Sequence, residues 1–592
     1  MTLFFKRHGL IFVLAFLVGS LIVFPNIFAV NRLGSDFKGI FPAFNDDEFH
    51  YLGMIREAYD GHYGLGNVFS GEHKDAPSLT QPLAPIIFAF FAKVFNLSIP
   101  ATMAINDFIS PFAGVLLLYL LLFGLFESMV IAGGFSVLYY LFFISLFSRP
   151  VNPQFSFLFF YLGLFFIWKI ISDKEITLRR LALFNFGLAV VFGIVFYIYP
   201  FVWTSILAVY GLALLFLILK ERRVVFYLKG LLFFATPVAL AAIPYILNLK
   251  RAIADPNYLD TFLRFGFILN RYPSAFLNVA LIMSGLAIIY LVGKNADSRK
   301  KIFVYSLALG GVALNWQNVI TGKILSFSPH YYTTIVLFLF IIFAFCVSMI
   351  WKNYKENILN AGNYLAVILM AALLIFVFDH TGGQNWIGYR NSLLVKPGDI
   401  AELRELQKLS GLADWFNKNS SKDSVVYSMS NNCDWFVPTY TYNNVYYHCN
   451  DGLFLASDDE LENKWVIQNF FTEGITGDYI ERENMSIWTS KFIERYQNEA
   501  VRNKILNFLK IKKDIPASVL VPEEYIDRVL QKVDFYQKMG FEKALKQYTV
   551  NYILLYANND EYSDQAAKLR TYSFLKLVAD IEDNLVFEVR HE

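Results

Sequence analysis

What most constrains this chain is the recurrence of apolar runs long enough to cross a lipid bilayer. Runs near 9–30, 101–126, 128–147, 154–171, 181–199, 201–219, 225–247, 273–293, 302–320, 330–350 and 359–378 each approach the roughly 20 residues a helix needs to span about 30 Å of hydrocarbon. No water reaches the inside of a bilayer to satisfy backbone N–H and C=O groups, so such runs fold as helices. The pattern therefore predicts a polytopic α-helical membrane protein of about eleven spans. Composition agrees: 56% of the residues are hydrophobic and only 17% charged, too few to coat a soluble protein of 592 residues. The net charge of +2 gives no bulk field for an anionic polymer, so no nucleic-acid partner is expected.

Orientation follows from where the basic residues fall. Lys6 and Arg7, then 169–180, 220–229, 294–301 and 351–355, are the Lys/Arg-rich connections, and an eleven-span count puts all of them on one side. The expected topology is a multi-pass protein of the plasma (inner) membrane with a cytoplasmic N-terminus and an extracytoplasmic C-terminal domain. The stretch 181–219 is about twice the length of one crossing and is read as two helices dividing at Tyr199-Pro200. The sixteen residues 82–97 are short for a span and carry Lys93, which fits a helix lying in the interface.

After residue 380 the apolar runs become short and amphipathic, so the chain divides into a membrane domain, 1–380, whose first outer loop is 31–100, and an outer domain, 381–592. Strands are expected at 424–429, 444–449, 518–522, 550–557, 573–580 and 585–589, and helices near 399–418, 488–510, 523–540 and 560–571. That mixture reads as a C-terminal extracytoplasmic α/β domain. Cys346 lies in an apolar run, whereas Cys433 and Cys449 could pair if their segment is outside the cytoplasm.

Polar residues other than Lys and Arg gather in the outward connections. Just after the first span comes Asn45-Asp46-Asp47-Glu48. Asn45 can cap a helix whose first turn holds the three carboxylates, with Glu48 at the capping-box position. That explains Glu48 but not two adjacent aspartates, which repel one another. At least one aspartate is therefore read as functional. Other outward clusters contribute Arg149, Arg264, Arg271, Lys323, His330 and Arg390, together with Asn315, Trp316, Gln317 and Asn318, which suit hydrogen bonding and stacking against a sugar. Asn106 and Asp107 sit early in the second span, where an ionisable residue is a functional candidate.

The loop after the first span carries Asp47, Glu48, Tyr51, Arg56-Glu57, Gly61, Lys74 and a proline-containing turn at 77–85 leading into the interfacial stretch. In this order it resembles the first outer loop of the GT-C superfamily of membrane glycosyltransferases, in particular the protein O-mannosyltransferase and lipid A aminoarabinose transferase type. The match covers the first 130 residues; beyond them the likeness is one of topology. Asp46 is extra to the pattern, and the Glu-x-x-Tyr register favours Asp47 over it. The Trp-Trp-Asp signature of oligosaccharyltransferase catalytic subunits is absent from the sequence, which speaks against en bloc transfer to asparagine.

The resemblance implies transfer of a sugar from a polyprenyl-phosphate donor to a hydroxyl on a glycan, lipid or protein acceptor, by inverting direct displacement at the outer headgroup level. Asp47, with Asp46 and Glu48, would take the acceptor proton. Lys74, Arg149, His330, Arg271 and Arg390 are candidates to bind the donor phosphate. His50, Tyr51, Asp107 and 315–318 are candidates to hold sugar or acceptor. No cofactor is implied and no His, Cys or carboxylate spacing gives a closed metal site, although the acidic trio could hold a divalent cation. Membrane lipids would be further partners. The competing reading is a transporter or flippase of lipid-linked saccharides. It would place ionisable residues near the midplane, whereas here they gather at one face.

Overall fold

The computed structural model describes residues 2–42, 46–273, 275–324, 330–356, 359–393, 397–429, 433–508, 510, 519–559 and 561–590, the side chains of 2–7, 46, 47, 381 and 397–399 excepted. Helix α1 (Thr2–Leu33) leads into a loop that carries α2 (Asp46–Tyr59) and α3 (Leu83–Phe95). Next come α4 (Ile99–Phe126), α5 (Met129–Phe142), α6 (Ser156–Ser172), α7 (Leu178–Phe196), α8 (Pro200–Glu221) and α9 (Val224–Ile253). After α10 (Tyr258–Arg264) and β1 (Ile268–Leu269) follow α11 (Phe276–Val292), α12 (Ser298–Thr321), β2 (Lys323–Ile324), α13 (Tyr331–Lys355), α14 (Ala361–Val377) and α15 (Gly383–Leu393).

Among the described residues, nine helices are long and apolar enough to cross a membrane: α1, α4, α6, α7, α8, α9, α11, α13 and α14. The other two of the eleven expected spans are α5 and α12. With 14 residues α5 rises only about 21 Å, and the run from 128 to 147 does not continue as one helix because the chain turns toward Pro150 and Pro153. Helix α12 has the length, 24 residues, but its polar stretch 315–318 dilutes the apolar character. The division of 181–219 falls where expected, α8 beginning at Pro200, whose missing N–H suits a first turn. Helix α3, with 13 residues, is too short to span. Helix α13 lies at the centre, 78% of its apolar window being buried, whereas α9 has only 11% buried. An apolar helix left exposed to that extent needs lipid as its solvent.

The C-terminal part is built from α16 (Pro397–Asn419), β3 (Val425–Met429), α17 (Phe436–Tyr440), β4 (Asn444–Val445), α18 (Asp458–Gln468), α19 (Gly477–Arg482), α20 (Asn484–Trp488) and α21 (Lys491–Phe508). It continues with α22 (Glu523–Met539), α23 (Phe541–Leu545), β5 (Tyr552–Leu555), α24 (Tyr562–Thr571), β6 (Leu575–Ile581) and β7 (Asn584–Val589). Five strands form one mixed sheet in the order β4-β3-β5-β7-β6, with β3 parallel to β4 and β5, and β7 antiparallel to β5 and β6. Of the expected strands, 444–449 pairs only at Asn444 and Val445 before the chain leaves to Cys449, which is bonded to Cys433. The expected strand at 518–522 does not form over 519–522, since Pro522 opens α22; Ser518 lies outside the described residues.

Alternate side chains of the sheet point to opposite faces. Val425, Tyr427, Met429, Ile553 and Leu555 enter a core with Trp465 and Trp488 from the flanking helices. Val426, Leu554 and Val586 face the other way and join Leu412 and Phe416 of α16 in a core continuous with the membrane helices. The first loop is stitched to the sheet as well: Ser70 makes a parallel bridge to Val445, and the Val445 N–H donates to the Phe69 carbonyl at 2.9 Å.

Candidate functional site

The first loop leaves the membrane region from the C-terminus of α1 and re-enters at the N-terminus of α4, so both helix ends lie on one side. Asn26 is seven residues before the end of α1, about 10 Å along its axis, and Asp107 is eight residues into α4, about 12 Å, which brings them to similar depth. They meet there: Asn26 Nδ2 donates to Asp107 Oδ2 at 2.9 Å. Gln154 Nε2 donates to the other carboxylate oxygen at 2.7 Å, and Asn106 donates to Gln154 Oε1. An aspartate 5% exposed among helix ends is tolerable only with such partners.

Asp107 and Asn26 line a cavity of about 170 Å³ with Glu48 from the first turn of α2, Ser145 and Ser148 from the turn after α5, and Asn385 from α15. Ser145 Oγ donates to Asn385 Oδ1 at 2.7 Å and Tyr389 Oη to the Leu21 carbonyl at 2.8 Å, which ties α15 against this wall. Of the acidic turn expected from sequence, Glu48 lines this cavity, two residues after the start of α2 at Asp46. Asn45, the expected cap, and the side chains of Asp46 and Asp47 are outside what the structure describes. Arg149 directly follows the lining residue Ser148 and is half-buried; Arg390 directly follows Tyr389, also a lining residue, and is exposed.

Lys74 has a different setting. Its Nζ donates to both oxygens of Glu57 at 2.8 Å and lies 3.2 Å from Asp423 Oδ1, while His62 Nε2 is 3.3 Å from Asp423 Oδ2. The cluster joins the first loop to the segment before β3. Burial pushes the Glu57 carboxyl above its usual value against the pull of Lys74 and His62. Burial also acts to raise Asp423, but Lys74, His62 and Lys422 outweigh it and hold that carboxyl below its usual value. Gly66 is where the loop folds back on this lysine: a side chain there would meet the Lys74 carbonyl oxygen.

The remaining predicted residues are distributed over other contacts. His50 packs edge-on toward Tyr51 and lies 5.7 Å, ring to ring, from Phe69. Phe69 stacks on His448 at 3.9 Å, and burial lowers His448 to about 3. His330 accepts or donates at Nδ1 with Tyr199 Oη and stacks on Phe201 at 5.0 Å. Arg271 Nη1 donates to the Val319 and Ile320 carbonyls at 3.2 and 2.7 Å, closing the C-terminus of α12. Asn315 donates to the Gly311 carbonyl and accepts from Asn278; Gln317 donates to the Lys323 carbonyl and accepts from Thr321. Asn318 Nδ2 donates to the Asn270 and Tyr272 carbonyls, its Oδ1 having no donor among the described residues, and Trp316 packs on Phe276. These side chains hold the end of α12 to the β1 loop and do not line the Asp107 cavity. Arg264, read as facing outward, is fully buried and bound to Asp458 and the carbonyls of Gly452 and Ala456.

Sequence reading passed over Asn26, Ser145, Asn385 and Tyr389. A signal existed for Asn26, a lone amide after Pro25 inside an apolar run. The partnership of Lys74 with Asp423 had none, the two being far apart in the chain. Among the described residues no three His, Cys, Asp or Glu side chains come close enough to hold a metal ion.

A scan against protein-family models gives no match, and neither does a search of curated proteins. Among solved structures, the chain is similar to ArnT from Cupriavidus metallidurans in the apo state, with 11% identity, TM-score 0.44, and 92% of this chain and 93% of that one covered. It is similar to the same protein bound to undecaprenyl phosphate, again with 11% identity, at TM-score 0.47 and with 99% and 98% covered.

Proposed function

We propose that this protein is a membrane glycosyltransferase that moves a sugar from a polyprenyl-phosphate donor to an acceptor hydroxyl on the extracytoplasmic face. The observation that carries the reading is the convergence of Glu48, in an acidic helix turn, and the bonded Asp107 on one cavity near the ends of apolar helices. The Cys433–Cys449 bond supports the assignment of that side, since disulfides persist in oxidising compartments.

In this scheme a lipid carrier holds the sugar phosphate at the headgroup level, where the helix ends lie, and so supplies proximity. Polyprenyl phosphate is a good leaving group, and the demanding step is deprotonation of the acceptor. Asp47 takes that proton as the oxygen attacks the anomeric carbon, and the bond to the donor phosphate oxygen breaks on the opposite face, inverting the centre. Arg149 and Arg390 meet the growing phosphate charge. Lys74 shapes the loop through Glu57 and Asp423, and a part for it in phosphate binding would come on top of that pairing. Asp107, fixed from both sides by Asn26 and Gln154, places a carboxylate in the wall of the cavity.

The test uses protein in lipid nanodiscs, a panel of polyprenyl-phosphate monosaccharides and a crude envelope extract as acceptor, with release of carrier phosphate as readout. Wild type should release carrier from one donor, and Asp47→Asn should release it about 10²- to 10⁴-fold more slowly. Movement of labelled lipid-linked sugar between leaflets without any release would replace this reading with transport.

A further inference from the structure

The Asp107 cavity is small beside the roughly 300 Å³ or more of a site that encloses a drug-sized ligand, so it has room for reacting groups and not for an oligosaccharide. A second cavity, of about 890 Å³, opens outside the carboxyl ends of β3 and β5. From β3 the chain turns to β4 on one side, while the neighbour on the other side, β5, is reached only later. Ligands of open α/β sheets bind at such places, where the carboxyl ends of adjacent parallel strands diverge.

The walls of this cleft are rich in hydrogen-bond acceptors. Glu402, Glu405, Glu561, Glu582 and Asp583 are exposed carboxylates around it, and Lys408, its one basic lining residue among those described, is paired with Glu405 at 2.6 Å. Two amides add acceptors in the interior. Gln565 is 8% exposed, and its Nε2 donates to Glu561 Oε2 at 3.0 Å while its Oε1 accepts nothing from the described residues. Gln468 repeats the arrangement: Nε2 donates to the Ser428 carbonyl at 2.7 Å and Oε1 is left over. A buried carbonyl oxygen without a donor is unfavourable by about 1–3 kcal/mol unless something else supplies one. Asp434, by contrast, is a lining carboxylate already satisfied by Ser428, Tyr556 and the backbone N–H groups of Phe436 and Val437. A hydroxyl-bearing molecule in the cleft can bring such donors, as a buried water can. The described carboxylates do not converge as metal ligands. Trp435 and Phe471 line the same space and offer apolar faces of the kind on which sugar rings stack.

The cleft also adjoins the acidic turn. The Trp435 ring stacks on Phe49, the residue after Glu48, with centroids 4.7 Å apart and planes 24° from parallel.

We propose that this cleft binds the saccharide part of the acceptor, a hydroxyl-rich chain that is neutral or carries amines and not one that carries acid groups. The assignment deepens the transferase reading and rests on it for the word acceptor; the binding itself does not need catalysis. Hydroxyl protons of the bound sugar donate to the rim carboxylates and, once the two amide side chains turn toward the cleft, to the buried Gln565 and Gln468 oxygens. The Trp435–Phe49 contact places the chain end beside the first turn of α2.

The test is equilibrium dialysis of the full-length protein in nanodiscs against labelled mannotriose, a chitosan trimer and a trimer of galacturonic acid, without donor. Wild type and Asp47→Asn should bind the neutral or amine-bearing trimers alike and the acidic one at least about tenfold more weakly. Gln565→Ala should weaken binding about fivefold, and the Gln468→Ala/Gln565→Ala pair tenfold or more. Glu402→Gln, on the exposed rim and bonded to neither glutamine, gives a second readout in a variant with no buried change and should narrow the gap between neutral and acidic trimers. Failure of every trimer to bind, binding indifferent to these variants, or preference for the acidic trimer overturns the proposal. Protein that binds the sugars and never releases carrier refutes the transferase and spares the cleft, whereas carrier release with no trimer bound does the reverse.

Discussion

Replacing Lys74 with alanine separates a structural ammonium from a catalytic one. In the folded protein Glu57 is 5% exposed and both of its oxygens accept from Lys74 at 2.8 Å. Without the ammonium, a buried carboxylate keeps, among the described residues, the more distant His62, 3.9 Å away. Removing one member of a buried pair can cost about 3–5 kcal/mol, but Glu57 has an escape, because it can take up a proton. Its ordinary value of 4.5 lies about 2.5 pH units below neutrality, so protonation at pH 7 caps the penalty at about 3.4 kcal/mol. With some water reaching Lys74 we expect about 2–3 kcal/mol at pH 7. The pH dependence gives the sign. Glu57 already has a raised value in the fold, so the folded state holds a proton more firmly than the unfolded one, and stability declines as pH rises through the raised value. Lys74→Ala raises that value further, so its deficit should shrink between pH 8 and 5. Asp423, held low, loses its contribution only as pH falls below about 3.8 and does not enter this window. Thermal unfolding in nanodiscs, followed by tryptophan fluorescence from pH 5 to 8, is the assay. Adding Glu57→Gln should restore most of the lost stability. A deficit that is constant across pH, or a double variant worse than the single one, would refute this reasoning. Carrier release by the double variant then reports on any direct part of Lys74 in phosphate binding.

Arg264→Ala should destabilise by about 3–5 kcal/mol, because a fully buried guanidinium bonded to Asp458 and to the Gly452 and Ala456 carbonyls ties α10 to the loop before α18. An unchanged unfolding temperature, or unchanged protease resistance over 254–273, would disprove that role. His73 donates toward Glu460 at 2.9 Å, which raises the imidazole above its usual 6.5. Its contribution is complete below that value and fades as pH rises through the raised one. Amide exchange in the first loop should therefore quicken from pH 6 to 8 beyond the intrinsic chemical rate, and a His73→Gln profile parallel to wild type would count against the pairing.

How much of this was legible depended on whether the determinant was local. A 20-residue apolar window is local, so the division at Pro200 and the nine long helices could be read directly, whereas the truncation of α5 depended on how the chain turns at two prolines beyond it. The central strands β3, β5 and β7 were readable from β-branched and aromatic runs; β4 was not, since only two of its expected six residues pair before the disulfide draws the chain away. At the site, the Asp46-Asp47 pair and Asp107 stood out because charge near an apolar run needs a reason, whereas Glu48 already had one as a capping residue. Polar residues at helix ends were the harder class, because an amide that closes a helix and an amide that binds a sugar look alike in sequence. What distinguishes them is the state of their hydrogen-bonding atoms after folding. Asn315 and Gln317 have both amide ends occupied by the protein, so sugar binding there would first have to break native bonds, and Asn318, whose Oδ1 lacks a donor among the described residues, lines neither of the two cavities. Gln468 and Gln565 have their nitrogens occupied and their buried oxygens without a donor among the described residues, in the wall of a cleft wide enough for a glycan. By the cost of an unanswered buried acceptor, recognition belongs with the second pair, in the part of the chain whose residues alone gave no reason to look there.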